Sequence, residues 1–208
     1  MIPLLVVLAA YLIGSVSFAV VASWAFGLPD PRTYGSGNPG AINVLRTGKK
    51  AAAMVTFVGD TGKGAAAVLL ARWAAPHLGL SEVTVAATAV AAFLGHLYPI
   101  YFGFKGGKGV ATAFGLLLVL NVWVSVATAA AFLAVVLATR YVSLGSVLAA
   151  AAAAIAAPIV LGATPTAIAV ILMASLVILR HQANLRRLVA GEESRVGARK
   201  GTPPPEQA

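Results

Sequence analysis

The stretch Gly103-Phe104-Lys105-Gly106-Gly107-Lys108-Gly109 places four glycines and two lysines in seven positions. Glycine opens backbone conformations closed to other residues, so successive N–H groups can converge on one small anion. Lys105 and Lys108 add two point charges to those donors. The combination reads as a phosphate cradle. A basic loop beside a membrane span also collects lysine, but it has no need of so many glycines. The loop is not a nucleotide-binding P-loop. Phe102 stands where that motif requires its first glycine, and Gly109 where it requires Ser or Thr after the lysine.

Five other stretches carry polar chemistry. Tyr34-Gly35-Ser36-Gly37-Asn38-Pro39-Gly40-Ala41-Ile42-Asn43-Val44-Leu45-Arg46 matches G-x-G-x-x-G over residues 35–40. A dinucleotide fingerprint needs a strand before it. An apolar run precedes it here, so that reading is rejected. Ser36, Asn38 and Asn43 remain as neutral donors and Arg46 as a planar phosphate clamp, although Asn-Pro-Gly is also ordinary turn chemistry. Asp60 and Lys63 share a helical face inside an apolar run, either facing a cavity or neutralising each other; a supporting role is expected for them. Gly59, Gly62 and Gly64 beside them point to close backbone approach or a local break. His96, in Gly95-His96-x-x-Pro99, leads into the lysine loop. Ser143 and Ser146, at the start of a later helix, either cap it or reach the site. Finally, His181, Asn184 and Arg187 or Leu188 fall on one face of a helical continuation, within a segment that also suits a basic helix lying on anionic lipid.

The elements that position these residues are membrane spans. The chain of 208 residues is 60 % hydrophobic and 10 % charged, with mean hydropathy +0.91, against about 25 % charged in soluble domains. Seven helices are expected, roughly over 2–26, 51–74, 83–101, 110–121, 123–139, 142–162 and 165–180. The run 110–139 is too long for one crossing, and Asn121 is its only strongly polar residue, so a turn is expected near Asn121 and Trp123. With the N-terminus outside, 13 of the 15 Lys and Arg residues share the cytoplasmic side; Arg72 falls outside and Lys63 within a span. The fold class is therefore an all-α integral membrane protein with a cytoplasmic C-terminus. Residues 1–190 form a single domain, and a disordered tail is expected over 191–208. Met1-Ile2-Pro3 lacks the cationic start of a signal peptide, so the first run is read as a permanent span.

The net charge of +9 sits in short loops and the tail, which fits membrane lipids rather than nucleic acid. There is no cysteine, and His77, His96 and His181 are too scattered for metal spacing. No metal and no cofactor are expected. The spans show no convincing internal repeat of the transporter kind. A transporter for a phosphorylated solute would use the same cationic loops, but with a site near the membrane midplane.

Three stretches together resemble the bacterial membrane-integral acyl-phosphate:glycerol-3-phosphate acyltransferase family. They are Ser36-Gly-Asn-Pro-Gly-Ala-Ile-Asn43-Val-Leu-Arg46, then Gly95-His96-x-x-Pro99 with Phe104-Lys-Gly-Gly-Lys-Gly-Val-Ala-Thr112, then His181-x-x-Asn184-x-x-Arg187-Leu-x-x-Gly191-x-Glu193. Ile42 departs from the family's usual threonine. The resemblance covers about residues 1–195. It implies a seven-helix fold and acyl transfer from acyl phosphate to the 1-hydroxyl of glycerol 3-phosphate, giving lysophosphatidate and inorganic phosphate, in the bacterial inner membrane with the site facing the cytoplasm. The catalytic residues it implies are Ser36, Arg46, Lys105, His181 and Asn184. Substrate contacts are assigned to Gly37, Asn38, Gly40, Asn43, His96, Gly106, Gly107, Lys108, Gly109, Ser143 and Arg187, with Asp60, Lys63 and Glu193 in support. The expected partners are the two substrates and membrane lipids, and a monomer is expected. The His-x-x-x-x-Asp motif of thioester-using acyltransferases is absent: Glu82 follows His77 on the wrong side, Tyr101 follows His96 and Arg186 follows His181. That agrees with acyl phosphate as donor.

Overall fold

A computed structural model describes residues 1–196. Among them it is all-helical: α1 (Ile2–Gly14), α2 (Phe18–Ala25), α3 (Ala41–Leu45), α4 (Lys50–Leu78), α5 (Glu82–Leu97), a 3-10 turn at Ile100–Phe102, α6 (Val110–Leu120), α7 (Val122–Thr139), α8 (Val142–Leu161), α9 (Pro165–Arg180) and α10 (Gln182–Val189). Four helical stretches, α4, α5 with the 3-10 turn after it, α7 and α8, are long and apolar enough to cross a membrane, and six crossings result if the bent pairs α1–α2 and α9–α10 each count as one; α6 is a shorter apolar helix. Many large apolar side chains are left exposed along these helices, Leu4, Val58, Leu69, Leu137, Ile155 and Ile159 among them, as a lipid-facing surface requires.

Helices meet through small residues rather than large ones. A Cβ on Gly14 would lie 2.0 Å from Ala92 O, one on Gly95 2.2 Å from Tyr11 O, and one on Gly115 1.9 Å from Thr61 O. These contacts weld α1 to α5 and α6 to α4. Of the glycines flanking Asp60 and Lys63, Gly59 packs on the Phe18 ring and Gly64 on Thr112 O, while Gly62 faces open space. The alanines of α8 serve the same purpose, with Ala150, Ala153 and Ala157 buried in the core beside Leu116, Leu117, Val170 and Met173.

The first expected span is not one helix. It breaks at Ser15–Ser17 and bends by 40°. The break frees backbone groups, which lipid cannot satisfy. Lys63 Nζ takes Val16 O, and Asp60 Oδ1 accepts from Phe18 N at 3.4 Å. No proline or mid-run glycine pair announces this break; its sequence signal is the buried Asp60–Lys63 pair on another helix. The turn expected near Asn121 is present: Asn121 is extended, and its Oδ1 accepts from the N–H groups of Trp123 and Val124, capping α7. At that same end of the bundle, Arg72 donates to Val119 O and Leu120 O, the last carbonyls of α6.

Two further expectations change. Neither Ser143 nor Ser146 caps α8: Ser146 Oγ donates back to Val142 O at 2.8 Å, and α8 has no side-chain cap. The helix after α9 is not a straight continuation but bends by 51° at His181. Of the tail expected from residue 191, the described residues include 191–196. Residues 191–196 return across the helix ends, Arg195 donating to Tyr141 Oη and Val196 N to Arg140 O, because acidic and hydroxylic side chains there meet the cations of the loops. The disorder expected for 197–208 lies outside the described residues.

Candidate active site

The three loop-borne polar stretches meet: Arg32 reaches Phe102 O, Arg46 reaches Ser194 and Lys108 reaches Asn184. The glycine–lysine loop starts from the 3-10 turn, where Gly103 (φ 62°) and Phe104 (φ 61°) are left-handed, and folds back onto α5. Gly107 N donates to His96 O at 3.1 Å. Gly109 (φ 85°) lies where a Cβ would be 2.3 Å from the Phe93 ring, a full turn back along α5. The loop therefore dips into the bundle, which is why α6 has only 11 residues. Gly106, Gly107 and Gly109 are buried, Lys108 is half-buried and Lys105 is exposed.

Arg180, the last residue of α9, braces this loop. Its guanidinium donates to Gly106 O at 3.0 Å and to Gly107 O at 3.1 and 3.3 Å. With both carbonyls drawn toward Arg180, the loop's geometry is fixed from that side. Sequence reasoning counted Arg180 only as a basic residue; its position next to His181 was the sole hint. Arg32 was missed in the same way. Asp30 grips it bidentately at 2.6–3.1 Å, and its Nη1 donates to Phe102 O at 3.0 Å. The Arg32 hydrogen bonds hold the Asp30 carboxyl below the usual carboxylate range. The pair ties the 26–40 loop to the turn ahead of the lysines.

In the first stretch, Asn43 is buried and fully occupied. Its Nδ2 donates to Pro31 O at 2.7 Å and Tyr34 O at 3.1 Å, and its Oδ1 accepts from Ser36 N at 3.0 Å. It thereby shapes the loop that presents Ser36 and Asn38. A Cβ on Gly35 (φ 60°) would strike Asn43 Oδ1 at 2.3 Å, and one on Gly40 would meet Asn38 Nδ2 at 2.8 Å. Gly37 is left-handed as well (φ 66°). Ser36 and Arg46 are exposed, and Arg46 Nη2 donates to Ser194 Oγ at 3.1 Å.

The third stretch closes on the second. Lys108 Nζ donates to Asn184 Oδ1, Asn184 Nδ2 to Glu193 Oε1 at 2.6 Å, and Arg187 Nε to Glu193 Oε2 at 2.8 Å. Burial pushes the Lys108 ammonium down to about 8; Glu193 works against that, while Arg187, Arg180 and Arg46 add to it. Burial also acts on Glu193, but contacts with Asn184, Ser143 and Arg187 outweigh it and keep the carboxyl below its ordinary range. The buried Ser143 Oγ faces that carboxylate without completing a hydrogen bond. His181 and Asn184 are both buried, His181 Nδ1 lying 2.7 Å from Val177 O. His96 is brought beside Gly107, with its other ring nitrogen on the Asp60–Lys63 pair. Among the described residues no group of His, Asp and Glu could hold a metal ion.

Directly behind the loop, between α6, α7, α8 and α9, runs an apolar cavity of about 290 Å³. It begins at Val110 and Ala111, next to Gly109, and continues past Phe114, Phe132, Ala150, Met173 and Val177. A cluster of cations and backbone donors thus adjoins an apolar slot. That pairing, in an all-helical bundle with an apolar surface, is the layout of a membrane-embedded protein whose polar site borders an apolar slot.

Comparison with known proteins narrows the class. The chain matches the family described as Glycerol-3-phosphate acyltransferase over residues 4–191. It is 55 % identical over 193 residues to the glycerol-3-phosphate acyltransferase of Ralstonia pickettii, covering 93 % of each chain. It is 51 % identical to that of Nitrosomonas eutropha over 95 % of this chain and 98 % of the other. Among solved structures it resembles PlsY (YgiH), an integral membrane glycerol 3-phosphate acyltransferase, in its glycerol 3-phosphate form (TM-score 0.87) and its lysophosphatidic acid form (TM-score 0.85). Both are 36 % identical and cover 95 % of this chain and 96 % of that one. The chain belongs to the glycerol-3-phosphate acyltransferase family.

Proposed function

We propose that this protein transfers a fatty acyl group from acyl phosphate to the 1-hydroxyl of glycerol 3-phosphate, releasing lysophosphatidate and inorganic phosphate. The observation that carries the reading is the junction of the Lys108–Asn184–Glu193–Arg187 network and the Arg180-braced loop with the mouth of the apolar cavity. The cavity takes the proximal acyl chain, and the cations hold two phosphate heads side by side. The related structures in glycerol 3-phosphate and lysophosphatidic acid forms lend support to both ligand classes.

Acyl phosphate is a mixed anhydride with a good leaving group, so the site needs chiefly positioning and charge neutralisation. Arg46, Lys105, Lys108 and Arg187 hold phosphate oxygens, with Ser36, Asn38 and the Gly106–Gly107 backbone as neutral donors. His181 and Asn184 orient glycerol 3-phosphate. Its 1-hydroxyl attacks the acyl carbon, the carbon–oxygen bond to phosphate breaks, and the hydroxyl proton passes to a substrate phosphate oxygen. No carboxylate contacts the His181 ring among the described residues, as a strong histidine base would require. The chain is read with seven crossings, α1–α2 counting as one and α6 as a short one. The N-terminus is outside, and the site-bearing end, where the basic loops gather, faces the cytoplasm of a bacterial inner membrane.

The test is purified protein in lipid nanodiscs with glycerol 3-phosphate and palmitoyl phosphate. Equimolar phosphate and lysophosphatidate are expected. Solute flux in proteoliposomes without turnover would replace this reading with a transporter.

A further inference from the structure

Asp60, Lys63 and His96 are 2 %, 5 % and 6 % exposed and hold no substrate in the reading above. Lys63 lies well inside α4 (Lys50–Leu78), and ionisable groups at membrane depth persist only when paired. An ammonium has three protons and no lone pair. Lys63 has three acceptors for them: Val16 O, Asp60 Oδ1 at 2.8 Å and His96 Nδ1 at 3.0 Å. A ring nitrogen that accepts carries no proton, so the hydrogen of neutral His96 sits on Nε2. Asp60 Oδ1 is 3.6 Å from the same Nδ1, farther than the ammonium. The reverse tautomer would turn an N–H toward an ammonium.

His96 also shapes the glycine–lysine loop. Its carbonyl accepts from Gly107 N at 3.1 Å, a Cβ on Gly106 would lie 2.1 Å from that carbonyl oxygen, and a Cβ on Gly107 would lie 2.3 Å from Nε2. The ring thus fills the space a Gly107 side chain would need. Besides Asp60 and Lys63 from α4, the charged group acting on the ring is Arg180 from α9.

We infer that Asp60 and Lys63 are positioning residues of the transfer site: they lock His96 as its Nε2–H tautomer, and His96 moulds the Gly106–Gly107 backbone that faces substrate. The catalytic consequence rests on the acyl-transfer reading. His96 then has no free lone pair and does not receive the glycerol hydroxyl proton. His181 has the opposite tautomer, because Val177 O can only accept and so Nδ1 must donate to it.

The test uses the full chain in nanodiscs with ¹⁵N-labelled histidine, and His77→Gln and His181→Gln proteins to assign the resonances. NMR of the wild type should show His96 neutral, protonated at Nε2, and unchanged between about pH 5.5 and 8.5, where an ordinary imidazole titrates. Lys63→Met should mix the tautomers, cut turnover by about tenfold or more and reduce the thermal stabilisation given by glycerol 3-phosphate. The double variant Asp60→Asn/Lys63→Met removes both charges together and gives the same readouts if the single variant fails to fold. A wild-type His96 protonated at Nδ1, or titrating near its ordinary midpoint, overturns the inference. So does a His96 signature unchanged in the variants with only their melting temperature lowered, the mark of a purely structural pair. If the wild type makes no lysophosphatidate, the acyl-transfer reading fails on its own, and the tautomer and glycerol 3-phosphate stabilisation still decide the positioning role.

Discussion

Replacing Arg180 by lysine tests whether the loop is held in shape or merely attracted by charge. The guanidinium makes three contacts with two loop carbonyls, at 3.0, 3.1 and 3.3 Å. Hydrogen bonds to a charged group contribute about 1.5–3 kcal/mol each. A lysine ammonium keeps the charge and reaches one carbonyl but cannot fork across both. Counting one bond per carbonyl, the link to one of the two carbonyls is therefore lost, about 1.5–3 kcal/mol, and with 1.36 kcal/mol per decade the expected fall in kcat/KM is about 10- to 150-fold. Arg180→Ala removes all three and should fall further. The assay is phosphate release from palmitoyl phosphate with glycerol 3-phosphate, run alongside melting temperature in the same nanodiscs. Arg180→Lys at wild-type rate would refute the argument, because charge alone would then suffice. An equal loss in both variants would also count against it, since the lysine should retain part of the interaction.

Other consequences can be measured directly. Lys108 must be charged to hold phosphate, and its ammonium is pushed down to about 8. The charged form prevails below that value, so kcat/KM should fall as pH rises through about 8, and Lys108→Arg should move that limb upward. Gly107→Ala, with its Cβ 2.3 Å from His96 Nε2, should abolish turnover. Gly62→Ala meets open space within α4 and should raise stability by about 0.5–1 kcal/mol, read as melting temperature. Ala150→Phe fills the apolar cavity; it should raise KM for palmitoyl phosphate while sparing butyryl phosphate.

The sequence disclosed different parts of the molecule unequally. Long apolar runs and the single polar break at Asn121 are local signals, and the helices follow them closely from α4 to α9. The break at Ser15–Ser17 was hidden because its stabilising partners, Asp60 and Lys63, lie more than 40 residues away. The three polar stretches stood out by composition, and the structure brings them to one end. Roles within them were harder to read. Asn43 is spent on its own loop, His96 is bound up with a buried pair, and Ser143 meets Glu193 across the fold. Arg32 and Arg180 went unrecognised because bracing a loop carbonyl needs only one arginine at the right place, which leaves no spacing pattern. The return of residues 191–196 over the site depends on tertiary partners, Arg46 and Tyr141 among them, that no local composition announces.

The account's central claim is attack of the glycerol 3-phosphate 1-hydroxyl on an acyl carbon rather than on phosphorus. Glycerol 3-phosphate carrying ¹⁸O at the 1-hydroxyl, turned over with palmitoyl phosphate, separates the two by mass spectrometry. The expected result is ¹⁸O in the ester linkage of lysophosphatidate and unlabelled inorganic phosphate. Labelled glycerol bisphosphate with free palmitate would contradict it.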